Sequence, residues 1–436
     1  MNHQTFDALI LGAGAAGLAA ATEMSRGGLR TIIIEARDRI GGRIYTRHNR
    51  TSSVPIELGA EFVHGRPPEL FELIDEAQLK VEEVTGRHWF FDDGKLVKPG
   101  EFWSKVEELM NGMKLGQPDI SFKDYLATLP NDEHTARAKA IATRYVEGFH
   151  AARLDRIGVH GLIKANEAAD DVHGDKMYRI ADGYEGIAQW LLHQAQANNS
   201  VLRLNTRVNE LRWRSGNVEV LCSSADSEGL IQAGKVVVTV PPSLIKQTLR
   251  FSPPLPTAIL QAMEYLPIGD VVRIVLEFKR RFWAGLDLRS TDEDLSELSF
   301  IHYPDAFLPT WWTLYPDPSA VLVGWAGGPR ATKLSSGSGQ LLRTALDSLS
   351  SIFGVSYDQL KSELREFHFH DWRNDSLTRG GYTYVAVNGL AAQQLLAQPL
   401  ADTIFFAGEA LAVGHIGTVH GAIATGKRAA KQILDK

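Results

Sequence analysis

Gly12, Gly14 and Gly17 stand where a buried strand must turn into a helix. Phe6-Asp7-Ala8-Leu9-Ile10-Leu11 reads as that strand, and an Ala-rich helix follows to about Ser25. Gly12 permits the tight turn, Gly14 lets the backbone approach a pyrophosphate, and Gly17 lets the helix pack close on the sheet. The pyrophosphate would sit on unpaired N–H groups around Ala15 and Ala16, where the helix dipole favours negative charge. A second strand, Thr31-Ile32-Ile33-Ile34, runs to Glu35, near the spacing of an acid that accepts both ribose hydroxyls. A carboxylate there disfavours a 2′-phosphate. The chemistry so implied is dinucleotide binding; the other reading is a tight strand-to-helix turn without a ligand.

The next residues separate FAD from NAD. Glu35-Ala36-Arg37-Asp38-Arg39-Ile40-Gly41-Gly42-Arg43 continues straight from the acid. Two adjacent glycines followed by Arg43 suit a loop that presses backbone against a cofactor and supplies a fixed cation. Ordinary NAD-binding units have no such extension. At the far end, Thr403 to Glu409 reads as another strand, leading to Gly417-Thr418-Val419-His420-Gly421-Ala422 and a last helix. If both ends bind one cofactor, a single nucleotide unit is folded around everything between them.

Composition sets limits. With 436 residues, 44% hydrophobic, the chain can bury two cores. The formal net charge is −6 and no Lys/Arg run appears, so no nucleic-acid partner is expected. Cys222 is the only cysteine, which excludes a disulfide framework and a Cys-based metal cluster; no metal is expected. A lone Cys suits a reducing cytoplasm. No stretch has ~20 uninterrupted apolar residues, and no hydrophobic tail follows the last helix, so no membrane association is expected. Ala8 to Ala21 is apolar, but its glycines and the lack of a basic leader make it the first strand and helix rather than a signal peptide.

Further blocks continue the pattern: Glu57-Leu58-Gly59-Ala60-Glu61-Phe62-Val63-His64-Gly65, Ala181 to Gly186, Val236 to Pro242, and Asp371-Trp372 to Tyr384. With the front turn, the Glu35 to Arg43 loop and the Phe405 to Lys427 block, they make the chain resemble the FAD-dependent amine oxidases. That family includes monoamine and polyamine oxidases, L-amino-acid oxidases and lysine-specific histone demethylases. The resemblance covers most of the chain. The first two blocks also occur in carotenoid desaturases and protoporphyrinogen oxidases.

The expected fold is α/β, a discontinuous Rossmann-like FAD-binding domain with an α+β substrate-binding domain. Residues 1–75, 184–250 and 396–436 are expected to form the first, and 76–183 and 251–395 the second. Within the second, the pattern from about 76 to 180 predicts mostly helix, and Val271–Phe278, Thr310–Leu314, Val321–Trp325 and Tyr382–Val385 predict strands. Thr332 to Gln340, rich in Ser and Gly, predicts a surface loop. Nothing in the sequence specifies an oligomeric state.

The resemblance implies that a small-molecule amine loses a hydride to FAD, giving an imine that water hydrolyses to an aldehyde, while molecular oxygen becomes hydrogen peroxide. It brings Gly59, Ala60, Glu61, Phe62, Val208, Trp372, Gly408 and Glu409 to the cofactor, with the N-terminus of the last helix at Gly417, Thr418 and Val419. Trp372 has a second reading, a core aromatic, and Thr418 a second reading, a helix cap. Tyr382 and Thr418 would wall the passage of the amine, and His64 could orient or deprotonate it. Gly381 occupies the position of the flavin-bonding Cys of monoamine oxidases, so noncovalent FAD is implied. Phe62 replaces the carboxylate-binding Arg of L-amino-acid oxidases. His64-Gly65 and Thr418 to Ala422 resemble polyamine oxidases. Arg273 falls where the family usually has a Lys near the flavin; it keeps a cation but has a planar donor geometry. Its other reading is a solvent-facing residue on an edge strand. Amine oxidation is the function implied. A flavin desaturase or protoporphyrinogen-type oxidase, and a flavin-holding scaffold of low turnover, are the alternatives.

Overall fold

A computed structural model of the chain describes residues 5–49, 52, 54–98, 100, 102–224, 228–286, 294–334 and 337–435. The first sheet is built on Thr5–Leu11. This strand lies between Thr31–Ile34 and Glu228–Val238, parallel to both. Val201–Arg203 adds in parallel outside Thr31–Ile34, and Ile404–Phe406 adds in parallel beside Val236–Val238. The other half of the long strand, Glu228–Ala233, pairs antiparallel with Asn217–Ser223. Arg207–Arg214 and Arg250–Ser252 continue from there.

These strands read as apolar runs because both faces are covered. Ala8, Ile10, Ile33, Val237 and Phe405 face the helices Ala15–Arg26, Glu185–Ala197 and Val419–Leu434. Leu9, Leu11, Ile32, Ile34, Val236 and Phe406 face the other way, against Ile245, Ile259 and Ala392. Each such side chain, fully buried, contributes about 1.5–3 kcal/mol. Close helix packing needs small residues: a Cβ added at Gly426 would lie 2.2 Å from the Ala16 carbonyl oxygen.

The second sheet runs in the order Leu364–Asp371, Val271–Phe278, Val321–Gly327, Thr310–Thr313, Leu298–His302, Arg87–Asp92, Lys95–Val97. All its neighbours are antiparallel except the Leu298–His302 and Arg87–Asp92 pair. Alternation along Val271–Phe278 divides the strand. Val272, Ile274, Leu276 and Phe278 pack on the core under the helix Ser338–Phe353, whereas Val275 joins a separate cluster with Ile56, Phe300 and Trp312. Arg273 shares the face of Val275.

Three segments differ from the sequence pattern. The 76–180 stretch holds the helices Phe102–Asn111, Phe122–Thr128, Glu133–Phe149 and Val159–Asp171, but also the strands Val81–Glu83, Arg87–Asp92, Lys95–Val97 and Met177–Ile180. Buried Trp89 and Phe91 alternate with more exposed neighbours in Arg87–Asp92, the period of a strand. Thr332 to Gln340 is only partly loop: Gly328–Lys333 and Ser338–Phe353 are helical, and Ser335 and Ser336 lie outside the described residues. Tyr382–Val385 shortens to Tyr382–Thr383, paired with Ile268–Gly269. Among the described residues no helix is long and apolar enough to cross a membrane.

Candidate active site

A cavity of about 670 Å³ runs from the front glycine turn to the face of the second sheet. At one end it is lined by Gly12, Gly14, Ala15, Ala16, Glu35, Ala36 and Arg37. Gly17 does not line it. A Cβ there would lie 1.9 Å from the Gly12 carbonyl oxygen, so its role is the tight packing of turn on helix. Gly12 has φ of +103°, a conformation that favours glycine. Gly41 and Gly42 also have positive φ, and a Cβ on Gly42 would meet the Gly14 Cα at 3.4 Å. The result is a side-chain-free cradle at a helix N-terminus, which suits a pyrophosphate.

Glu35 is buried and spends both oxygens on this turn. Oε2 accepts the Ala13 N–H at 2.8 Å and Oε1 accepts the Arg37 N–H at 2.8 Å. A carboxylate keeps lone pairs for further donors, so ribose binding is compatible with both bonds. Arg37 is fixed by a two-pronged bond to Asp375 at 2.9 and 2.8 Å, and His370 Nε2 lies 2.7 Å from the same carboxylate. Burial alone would raise the pKa of Asp375. The bonds from His370 and Arg37 outweigh it and hold the carboxyl far below the usual range.

Midway along the cavity, Glu409 ties four segments together. It accepts from Arg43 at 2.7 Å, from the Thr383 hydroxyl at 2.7 Å and from the Gly417 N–H at 2.9 Å. Arg43 also donates to the Gly381 carbonyl at 3.0 Å. Gly42, Gly408, Val208 and Val419 line the cavity nearby. Thr418 lines it too, and its hydroxyl caps the last helix: it accepts from the Gly421 N–H at 3.0 Å and donates to the His415 carbonyl at 2.7 Å.

At the other end stand Gly59, Ala60, Glu61, Phe62, His64, Trp372 and Tyr382. Trp372 is buried and donates its indole N–H to the Leu58 carbonyl at 2.8 Å. The Tyr382 hydroxyl donates to the Phe149 carbonyl at 2.6 Å, and its ring packs beside Gly417. Burial raises the Tyr382 pKa and keeps it a neutral phenol. The His64 ring sits 5.6 Å from that of Phe149, edge to face, and burial lowers its pKa to about 4.

Arg273 is not the solvent-facing residue of an edge strand. Its strand lies between two others, and the residue is 3% exposed. One guanidinium nitrogen donates to the Gly59 carbonyl at 2.9 Å and another to Glu61. Glu61 also accepts from Arg179 at 2.6 Å and from the Trp312 indole at 3.1 Å. Burial pushes the Glu61 pKa up, but the two arginines outweigh it and keep the carboxylate ionised. The pattern of period two in Val271–Phe278 carried this inward direction.

The structure adds residues that the motifs did not show. His88, Phe300, Trp312 and Trp325 line the cavity from the second sheet, and Tyr145 and His150 from the helix Glu133–Phe149 and its C-cap. They come together only through the sheet order, in which Arg87–Asp92 pairs with Leu298–His302 across some two hundred residues of chain. The alternation in Arg87–Asp92 was the one local signal. The cradle, the buried acid beside it and the aromatic-walled compartment fit an extended dinucleotide whose far end reaches the second sheet.

Comparison with known proteins agrees. A family profile described as flavin containing amine oxidoreductase matches residues 15–434. Polyamine oxidase 3 of Oryza sativa subsp. japonica is 28% identical over 466 residues, covering 98% of this chain and 89% of that protein. Lysine-specific histone demethylase 1 homolog 2 of Arabidopsis thaliana is 26% identical over 447 residues, covering 98% of this chain and 58% of that protein. The chain therefore spans little more than half the length of that demethylase homolog. A solved structure of wild-type putrescine oxidase bound to putrescine superposes with a TM-score of 0.81 at 21% identity, covering 100% of both chains, and shows the shared fold. The chain belongs to the flavin-containing amine oxidoreductases.

Proposed function

We propose that this chain oxidises an amine to an imine, which water hydrolyses to an aldehyde, with molecular oxygen taking the electrons to give hydrogen peroxide. One observation carries the reading most: a single cavity joins a dinucleotide cradle to an aromatic-walled compartment at the N-terminus of the last helix. When bound, FAD supplies the two-electron chemistry by accepting a hydride from the carbon that bears the amine. Gly12, Gly14, Glu35, Arg37, Gly42 and Arg43 would hold its nucleotide part. The N–H groups at Gly417 to Val419 would face its electron-rich end, where a helix N-terminus stabilises negative charge. The first sheet then serves as the cofactor-binding unit and the second, with the 102–171 helices, as the substrate-binding unit.

The FAD is held without a covalent bond. A Cβ at Gly381 would lie 2.5 Å from a Val271 methyl, so no cysteine fits there. Cys222 is buried in the strand Asn217–Ser223, with its thiol directed at the Gly229 carbonyl. The compartment's own work is desolvation. Burial disfavours the ammonium form, and only the neutral amine can release a hydride. Tyr382, anchored to the Phe149 carbonyl, walls the amine's path, with Thr418 on the capped helix opposite. His64-Gly65 and Thr418 to Ala422 follow the polyamine-oxidase pattern.

The test starts from colour. Purified protein should be yellow and should release intact FAD on acid precipitation, and an amine panel should bleach the flavin without oxygen and yield aldehyde and peroxide with it. Flavin that stays with the precipitated chain overturns the noncovalent reading. A bound flavin that no amine reduces overturns amine oxidation.

A further inference from the structure

We infer that a second cavity, behind the Arg273–Glu61 pair, is a water-filled proton entrance to the active site, with Glu57 as the group that holds the proton on its way in. This rests on oxygen as the electron acceptor, proposed above, and says where the proton for that step comes from. An amine that becomes an imine gives up two electrons and two protons, and oxygen takes up the same number to become hydrogen peroxide. The hydride carries one of those protons with the electrons. The other leaves on the imine nitrogen as an iminium ion, so it must be replaced from solvent before peroxide forms. Cofactor and amine share the main cavity, and a second way in keeps the proton off the amine's path.

The second cavity has a volume of about 180 Å³. Its outer end is charged: Lys80, Glu82, Glu83 and Asp317 line it, and Lys80 and Glu83 are exposed. Further in it is lined by buried Ile56, Val275, Val321 and Val323, and it ends at Glu57, Glu61, Arg179 and Arg273. Among the described residues only Glu61 and Arg273 line both cavities, so this ion pair is the partition between them. The space suffices for roughly six waters at ~30 Å³ each. Buried water needs polar partners, and the inner end supplies them. Arg273 Nε is buried without a hydrogen-bond partner among the described residues, while the other two guanidinium nitrogens serve Gly59 and Glu61. An orphaned donor is costly to bury, and water in the second cavity satisfies it.

Glu57 ends the short strand Ile56–Glu57. Its Oε1 accepts the Tyr184 N–H at 2.7 Å and its Oε2 the Thr46 hydroxyl at 2.8 Å. Both partners are donors, so the carboxyl's own proton, when present, finds its acceptor on the cavity side. Burial raises the Glu57 pKa to about 7, against those two bonds and Arg273, with Glu61 adding to the rise. The Tyr184 phenol is the other titratable group coupled to it; burial and Glu57 raise its pKa, so it stays neutral. Glu57 can therefore take and give a proton near neutral pH. Arg273 cannot pass that proton on, because a guanidinium does not deprotonate. Glu61 is the one carboxylate common to the two cavities among the described residues. The order is then bulk water, cavity water, Glu57, Glu61, main cavity. The arginines that keep Glu61 ionised make it release the proton readily, and Glu57 stores it. At each transfer one bond to hydrogen breaks and one forms, and the net change is one proton moved from solvent to the oxygen being reduced.

Infrared spectroscopy of the FAD-loaded protein reads the carboxyl directly. At pH 6 the parent should show a protonated-carboxyl band that Glu57→Gln lacks, and transfer to deuterium oxide should shift it well before the slowest backbone amides exchange. A band that exchanges no faster than those amides overturns the inference. Ala181→Trp and Val54→Trp, at half-buried positions lining the second cavity, should each slow the shift at least fivefold; the parent's rate in both means that the proton does not enter there. The second arm is stopped-flow reoxidation, by oxygen, of flavin reduced with dithionite, which needs no amine. The parent's rate constant should fall as pH rises through about 7, the range in which Glu57 loses its proton. Glu57→Gln should be at least fivefold slower at pH 6 and lose that pH dependence, and Glu57→Asp should restore both. An unchanged profile in Glu57→Gln overturns the relay, and so does a loss that Glu57→Asp fails to rescue. A parent flavin that no amine reduces, but that oxygen reoxidises with this profile, sinks amine oxidation and leaves the inference. A parent whose reduced flavin does not react with oxygen sinks the inference and leaves amine oxidation.

Discussion

Arg273 shows how one side chain can be read and still hold a surprise. The resemblance places a cation there, and the strand's alternation turns it inward. Its guanidinium lines the cavity and is held there by Gly59 and Glu61. A buried carboxylate shared by two arginines makes the three residues unequal. Arg273→Met leaves Glu61 still paired with Arg179, whereas Glu61→Gln leaves two guanidinium groups facing one another without a counter-charge. Breaking a buried pair from the side that strands charge costs about 3–5 kcal/mol. Glu61→Gln should therefore lower unfolding stability by that order, and Arg273→Met by distinctly less, as read from urea denaturation. Equal losses, or the reverse order, would mean that the ion cluster is not arranged as described. For the proposed oxygen step, Arg273→Met should slow reoxidation of reduced flavin and leave anaerobic reduction nearly unchanged.

At the scale of elements, the first and last helices carry the site. They touch along small residues, and the N-terminus of each points into the cavity. Thr418→Ala removes a cap and should cost about 1 kcal/mol. Gly426→Val should cost more, because even a Cβ would collide with the Ala16 backbone. Thermal unfolding of the two variants checks the order, and a Gly426→Val protein as stable as the parent would refute the packing argument. These elements were legible in the sequence because their signals are local: a glycine turn, an apolar run, a capping Thr. The residues that line the cavity at the front turn were readable for the same reason. The strand Arg87–Asp92 was not, although Trp89 and Phe91 alternate, because it is short and its partner strand Leu298–His302 lies far along the chain. The aromatic wall was also hidden. His88, Phe300 and Trp325 become neighbours through sheet order, which no spacing along the chain encodes. The partner of Arg273 was hidden in the same way: Glu61 lies 212 positions away.

The molecule as a whole buries titratable groups of opposite tendency, and their sum fixes how stability depends on pH. His64 and His150 are held at about 4 and His302 and His420 at about 3, burial being the main cause. Each is neutral in the folded chain while the unfolded chain takes up a proton near 6.5. Between those values the unfolded state binds more protons, so each histidine withdraws up to about 1.4 kcal/mol per pH unit as pH falls. Glu57 works in the opposite sense. Burial raises its pKa to about 7, against bonds from the Tyr184 N–H and the Thr46 hydroxyl. Between 7 and the ordinary 4.5 the folded state holds the extra proton, so acidification stabilises through this one group. Glu61 and Asp375, held below the usual carboxylate range, release their share only at lower pH still. His88 and His415 are lowered as well and Glu147 is raised, so the lowered histidines outnumber the raised glutamates and the urea midpoint should fall steadily from pH 6.5 to pH 4.5. Glu57→Gln removes a fully buried opposing group and should steepen that fall. The measurement is a set of urea titrations at half-unit pH steps on parent and variant. A Glu57→Gln slope equal to or shallower than the parent's would show that Glu57 is not held protonated in the folded chain.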